Sequence, residues 1–208
     1  SAKPITAVYA GVGKVYDGST AATVTGSSSG MVLGDSLSIS GSGVYTGATA
    51  RNAGTGKAID VLTAQLAGTD ATNYTLSNPT GTATGDITPR TLTASYTGGT
   101  RVYDGGTTAP VNGSASGLVT GDAVSLAQTA TFTGDGAKNV GSGKAVAVSG
   151  ISLGGADAGN YTLAATTAET TASVTPRPLG IDGLTGVTAT SRVYDGTRTV
   201  QVLITSTG

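Results

Sequence analysis

Three stretches of the chain carry side chains whose types and spacing can do chemistry. Tyr16-Asp17-Gly18 sets a phenol beside a carboxylate, and the trio returns as Tyr103-Asp104-Gly105 and Tyr194-Asp195-Gly196. Asp70 to Asn73 and Asp157 to Asn160 cluster oxygen donors of the kind a calcium ion takes. Gly54-Thr55-Gly56-Lys57 and Gly141-Ser142-Gly143-Lys144 look like loops that cradle a phosphate.

Each stretch also has a plainer reading in the backbone. A strand end followed by Asp-Gly is turn chemistry that needs no ligand, with the carboxylates of Asp17, Asp104 and Asp195 accepting backbone N–H bonds. The Asp-to-Asn clusters lack the spacing of an EF-hand loop, and Asx-type turn capping accounts for them, leaving calcium as a secondary option and no other cofactor. The Gly-Lys stretches lack the Walker spacing and the helix that must follow it, so they predict turns between strands. Asn73-Tyr74 and Asn160-Tyr161 recur in the same way and join the structural set.

The chain has no His and no Cys, which removes the usual general base near neutral pH, thiolate nucleophiles, zinc clusters and disulfides. No pair among its 12 acidic residues has a spacing that singles it out for glycosidase chemistry. The residues therefore point away from an enzyme. A net charge of −1 supplies no basic surface for phosphates, and no run of apolar residues is long enough to span a bilayer, so neither nucleic acid nor membrane insertion is expected.

Gly fills 34 of the 208 positions, and Thr, Ser and Ala much of the rest. Leu, Ile, Val and Phe make up just under a fifth, the level at which disorder becomes an option, but disorder also expects a high net charge. Pattern decides the matter. Gly34-Asp35 returns as Gly121-Asp122, Gly56-Lys57-Ala58 as Gly143-Lys144-Ala145, Asn73-Tyr74-Thr75-Leu76 as Asn160-Tyr161-Thr162-Leu163, and Thr88-Pro89-Arg90 as Thr175-Pro176-Arg177, each 87 positions on. The third Tyr-Asp-Gly follows the second by 91. Repeat one thus spans 3–90, repeat two 91–177, and a partial third repeat 178–208.

Within a unit, short alternating segments are separated by Gly, Asn and Asp turn signals, as in a β-sandwich or barrel. In repeat two the segments are Leu92 to Tyr96, Arg101 to Tyr103, Thr108 to Val111, Ala123 to Thr133, Gly143 to Ile151, Tyr161 to Ala165 and Thr171 to Val174. Val146 and Val148 face one way, and Ala145, Ala147 and Ser149 the other. Nothing predicts a helix longer than two turns. Tyr16, Tyr74 and their equivalents are expected in a thin core, with each hydroxyl finding a partner. Pro at each junction disfavours a helix and stiffens the link, which predicts a semi-rigid rod.

Val15-Tyr16-Asp17-Gly18, Gly34-Asp35, Gly54-Thr55-Gly56-Lys57-Ala58, Asn73-Tyr74-Thr75-Leu76 and Ile87-Thr88-Pro89-Arg90, in that order, resemble the YDG-domain family, whose modules occur in tandem in large bacterial surface proteins similar to filamentous-haemagglutinin-like adhesins of two-partner secretion systems. Repeat two carries the same set, including Lys138-Asn139-Val140-Gly141-Ser142-Gly143-Lys144. The resemblance implies small immunoglobulin-like or β-grasp-like modules displayed outside the cell or on the bacterial surface, working as a stalk or adhesive array.

Three functions follow as expectations. The repeats are a structural stalk supporting adhesion or biofilm, with neighbouring repeats as partners. Alternatively they bind surface glycans multivalently, which needs an exposed aromatic. As a third option, 178–208 is donated as strands to another copy, building a filament.

Overall fold

The computed structural model describes residues 1–178 and Gly196. The chain divides into two units, Ser1–Thr175 and Pro176–Gly208, of which the first holds both complete repeats. The expected strand donation by 178–208 lies outside the described residues, save Pro178 and Gly196.

Repeat one comprises β1 (Lys3–Ile5), β2 (Val8–Val12), β3 (Lys14–Val15), β4 (Ala21–Ser27), β5 (Ser38–Tyr45), β6 (Gly54–Ala67), β7 (Tyr74–Leu76) and β8 (Gly81–Thr88). Repeat two comprises β9 (Arg90–Gly98), β10 (Thr100–Val102), β11 (Val111–Ser116), β12 (Ser125–Phe132), β13 (Gly141–Gly154), β14 (Tyr161–Leu163) and β15 (Ala168–Thr175). The only helical pieces among the described residues are single 3-10 turns at Ala71–Asn73 and Ala158–Asn160. The described residues are all β, in two repeats, as the two-residue periodicity and Gly-rich turns predict.

In repeat one, six strands pair in the order β2-β4-β5-β6-β8-β3, antiparallel except for the parallel β3 and β8. A separate parallel pair joins β1 to β7. The sheet curls until β2 crosses β8. A Cβ on Gly11 would stand 2.4 Å from Ile59 Cδ1 and 2.9 Å from the Thr84 carbonyl, so glycine is what lets the strands come this close. Gly98 holds the same place in repeat two, where a Cβ would stand 1.9 Å from the Thr171 carbonyl. Inside the curl of repeat one lie Val24, Tyr45, Ile59, Val61 and Ile87. Repeat two encloses Phe132, Val146, Val148, Ile151 and Val174.

The first strand of each unit changes partner along its length. In repeat two, β9 pairs parallel with β14 over Arg90–Leu92 and antiparallel with β11 from Thr93 to Gly98. In repeat one the same stretch is broken into β1 and β2, because the Asn78 side chain accepts from Ala7 N (2.8 Å) and donates to Ala7 O (2.9 Å), standing in for a strand neighbour. Ala165 occupies that place in repeat two and offers no such bonds.

Val146 and Val148 are buried on one face, with Ala145 and Ser149 exposed on the other. The next buried residue is Ile151, not residue 150, because a bulge opposite Ala127 to Thr129 shifts the phase. The segment Thr108 to Val111 is a correction. Thr108 makes only an isolated bridge to Thr131, and the strand begins at Val111 and runs to Ser116. Pro110 has no N–H to give a ladder, and Asn112-Gly113-Ser114 carries no apolar alternation. Gly113 is there because the Tyr96 ring packs on it, 2.7 Å from where a Cβ would be.

Candidate functional site: the junction between repeats

The first Tyr-Asp-Gly closes a turn that satisfies itself. Asp17 Oδ1 accepts from Ser19 N (2.9 Å), Ser19 Oγ (2.9 Å) and Lys14 Nζ (2.8 Å). Burial pushes the Asp17 carboxyl up, but those hydrogen bonds and the Lys14 charge outweigh it and hold the group below the usual carboxylate range. Gly18 adopts φ +77°, open to glycine at no steric cost. The second copy repeats the design: Asp104 Oδ1 accepts from Gly106 N (2.8 Å) and from Arg101, and Gly105 has φ +80°. In both, the cation lies over a core aromatic, Lys14 over Tyr45 and Arg101 over Phe132. Gly196 has φ +74°, and its partners Tyr194 and Asp195 lie outside the described residues.

With Asp17 occupied by its own turn, the phenol is the group left to reach outward. Tyr16 is fully buried and points into repeat two. Its hydroxyl donates to Asp122 Oδ2 at 2.8 Å, and the hydroxyl of Tyr161 donates to the same oxygen at 2.5 Å. The two rings meet edge to face, 5.4 Å between centroids and 78° between planes. Arg51, from the loop before β6, places Nη2 3.0 Å from Asp122 Oδ1 and 3.6 Å from Asp157 Oδ1. Asn160 Oδ1 accepts from Ala53 N at 2.9 Å. Val119 sits on the turn glycine: a Cβ on Gly18 would stand 2.8 Å from Val119 Cγ1.

The junction buries a carboxylate beside a half-exposed arginine. The Asp122 side chain is 2% exposed and Asn160 is 4% exposed. Burial, then the hydrogen bond from its hydroxyl to Asp122, pushes Tyr161 up to about 12. Burial followed by Asp122 raises Tyr16 as well, with Arg51 pulling the other way. Asp122 accepts from both tyrosines and from Arg51, and Leu92 and Tyr161 of repeat two belong to the apolar core of repeat one. The arrangement locks one repeat to the next.

Each repeat also has an internal version of this lock. Tyr74 OH donates to Asp35 Oδ2 at 2.5 Å and accepts from Val32 N at 2.9 Å, as Tyr161 does with Asp122 and Val119 N. Asp70 and Asp157 are tied differently from the Asx capping expected of them. Neither caps its own 3-10 turn; Asp70 Oδ2 accepts from Ser36 N (2.8 Å) and Asp157 Oδ2 from Ala123 N (2.9 Å), thirty-four residues back along the chain. Asn73 is exposed and Asn160 buried, although they are equivalent. Among the described residues no group of three or more His, Cys, Asp or Glu side chains could hold a metal ion.

The Gly-Lys stretches are likewise a correction. They are bulges that open β6 and β13, not turns between strands: the register slips between Gly54 and Lys57 and between Gly141 and Lys144, with Gly56 and Gly143 both at φ +60°. Lys57 Nζ donates to Thr49 O (2.6 Å) and Lys144 Nζ to Gly136 O (2.9 Å), so each Lys closes its own preceding loop.

Sequence reasoning named Tyr16, Gly18, Asn160 and Tyr161 as recurring structural residues but did not join them into one site, and it gave no role to Asp122, Arg51, Val119 or Ala53. Gly121-Asp122 was visible as a recurring pair; what the pair touches was not.

The family profile described as YDG domain matches residues 1–83 and again 88–169. Neither a curated protein nor a solved structure matches the chain.

Proposed function

The chain belongs to the YDG-domain family, carrying two of its domains in tandem, and from that we propose that it is a stalk segment of a secreted or cell-surface bacterial protein that supports adhesion or biofilm formation. The observation that carries this reading is the junction. A carboxylate 2% exposed, shared by tyrosines from two repeats and by Arg51, fixes one unit against the next where a flexible string would need only a linker. Such contacts suit a part whose task is to hold distance and direction.

Glycan recognition is less well supported, because an exposed aromatic is wanting among the described residues. Tyr9, Tyr16, Tyr45, Tyr74, Phe132 and Tyr161 are buried, and Tyr96 and Tyr103 are partly so. On the stalk reading the chain catalyses nothing, and its adhesive element lies elsewhere in the protein it belongs to.

Two measurements test this. The chain has no native Cys, so Thr25→Cys and Thr131→Cys allow spin labels on exposed strand positions of the two repeats. A single narrow distance distribution is expected, and a broad one would overturn the stalk. Beads displaying the folded chain should show no saturable binding to glycans or matrix; saturable binding would move the assignment to an adhesive module.

A further inference from the structure

In repeat one the ladder between β4 and β5 runs from Ala21↔Val44 to Gly26↔Ile39 and joins both strands into the six-stranded sheet. Repeat two divides the equivalent strands between two sheets, β11-β9-β14 and β10-β15-β13-β12, with β11 and β12 at the edges. The seam between them starts as its counterpart does. Phe132 N donates to Thr107 O (2.8 Å) as Tyr45 N does to Thr20 O (2.8 Å), Thr108 bridges Thr131, and Ala109 N donates to Ala130 O (2.9 Å). Beyond Ala109, β11 and β12 do not form the pairs that continue the ladder in repeat one from Thr23↔Ser42 to Gly26↔Ile39.

Two substitutions stand where the ladder stops. Pro110 replaces Thr23; it accepts from Gly99 N (2.8 Å) but has no N–H to return, and Gly99 O accepts from Ser173 N instead (3.0 Å). Gln128 replaces Gly41, where a Cβ would stand 2.0 Å from the Thr63 carbonyl. A side chain at that place cannot keep the register of repeat one. Gln128 is accordingly left in a bulge between Ala127 and Thr129, which pair with Ser152 and Ser149, and Gly150, at φ +63°, stands where repeat one has Thr63. A cavity of about 270 Å3 lies along the seam, lined by Gly113 and Ser114 of β11, by Leu118 and Val124 of the loop and by Leu126 and Gln128 of β12. Gln128 Oε1 and the Tyr96 hydroxyl are buried without a hydrogen-bond partner among the described residues, whereas Tyr9, the counterpart of Tyr96, donates to Asn78 O at 2.6 Å. Such groups gain hydrogen bonds when water reaches them, which lowers the free energy of opening.

We propose that repeat two opens at this seam while the protein remains folded: β11 parts from β12 about the short ladder at Thr107 to Ala109 and admits water to the core of that repeat, whereas the matching seam of repeat one stays shut. Gln128 and Pro110 set the difference. The opening holds whether or not the chain is a stalk; in a stalk it makes repeat two the unit that yields first, and the test below does not depend on that reading.

The test uses the absence of native Cys. Val61→Cys and Val148→Cys each place a single thiol at equivalent buried positions of β6 and β13 in the 208-residue chain. Modification by dithiodipyridine in native buffer is measured for each, relative to the same thiol in the urea-unfolded chain. The Val148→Cys thiol should react roughly tenfold faster or more, at a rate that low urea hardly changes, because a seam exposes little of the surface that global unfolding exposes. Gln128→Gly together with Gly150→Thr installs the residues of repeat one and should slow the Val148→Cys thiol to the rate of the Val61→Cys thiol. Circular dichroism reports whether that pair keeps the fold; if it does not, Pro110→Thr, which restores the donor to β9, is read in its place and should slow the thiol likewise. Equal rates at the two positions, a Val148→Cys rate that climbs with urea as steeply as global unfolding, or a rate that the folded seam variant leaves unchanged would overturn the proposal.

Discussion

Tyr16 and Tyr161 come from different repeats, yet their hydroxyls donate to one and the same oxygen, Asp122 Oδ2. Their rings also meet edge to face, so the two side chains are joined both through a shared acceptor and by direct ring contact. The Tyr of the first Tyr-Asp-Gly thus serves its neighbour as much as its own turn.

Tyr16→Phe keeps the ring and deletes the donor, so it isolates the polar half of that contact. A hydrogen bond to a charged acceptor contributes about 1.5–3 kcal/mol, and a loss of that size is expected in urea unfolding. Tyr103→Phe removes a hydroxyl with no partner among the described residues and should change stability by no more than about 0.5 kcal/mol. Equal losses for the two variants would show that Tyr16 acts within its own repeat.

How far the sequence revealed this can be judged residue by residue. The 87-residue offset made Tyr16, Gly34-Asp35 and Asn73-Tyr74 stand out, and period-2 alternation placed Val146 and Val148 in the core. It did not reveal that Asp122 receives Tyr16, because a repeat compared with itself shows which residues recur and not which neighbour they touch. The strand at Val111–Ser116 was hidden for another reason: Gly113 is chosen for contact with the Tyr96 ring, a tertiary demand that local alternation does not register. The broken first strand of repeat one depends on a single side chain, Asn78, far along the chain.

Gly18 and Gly105 separate backbone strain from docking. Both have positive φ, so an Ala at either place costs about 1–2 kcal/mol for the left-handed conformation. At Gly18 the new methyl also stands 2.8 Å from Val119 Cγ1, whereas at Gly105 the nearest neighbour is the Tyr103 hydroxyl at 4.0 Å. Overpacking adds about 1–3 kcal/mol, so Gly18→Ala should be the more damaging by that margin. It should also shift the distance between spin labels on the two repeats, which Gly105→Ala should leave in place.

The junction has an alkaline limit. Tyr161 is pushed up to about 12 in the folded protein, against about 10 in the unfolded chain. Below pH ~10 both states hold the proton and stability does not depend on it. Between about 10 and 12 the unfolded state releases it first, so the folded state binds more protons and stability falls as pH rises. Tyr16 shifts in the same direction and adds to the fall. Urea unfolding from about pH 8 upward should show a plateau and then a decline, and Tyr161→Phe should lessen the steepness of the decline. A wild-type profile flat through this range would show that the phenols are not buried against Asp122.

Asp122 and Asp35 are equivalent in sequence but not in load. Asp35 accepts from Tyr74 alone among the tyrosines, whereas Asp122 accepts from Tyr161, Tyr16 and Arg51. Asp35→Ala therefore leaves one buried tyrosine hydroxyl without its carboxylate, and Asp122→Ala leaves two. At about 1–3 kcal/mol for each buried group left unpaired, the second variant should lose roughly twice as much as the first. A double-mutant cycle apportions that loss: Tyr16→Phe made on an Asp122→Ala background should cost almost nothing, while on an Asp35→Ala background it should cost its full amount. If Tyr16→Phe costs the same on both backgrounds, the shared oxygen does not couple the two repeats, and the junction is held by its other contacts.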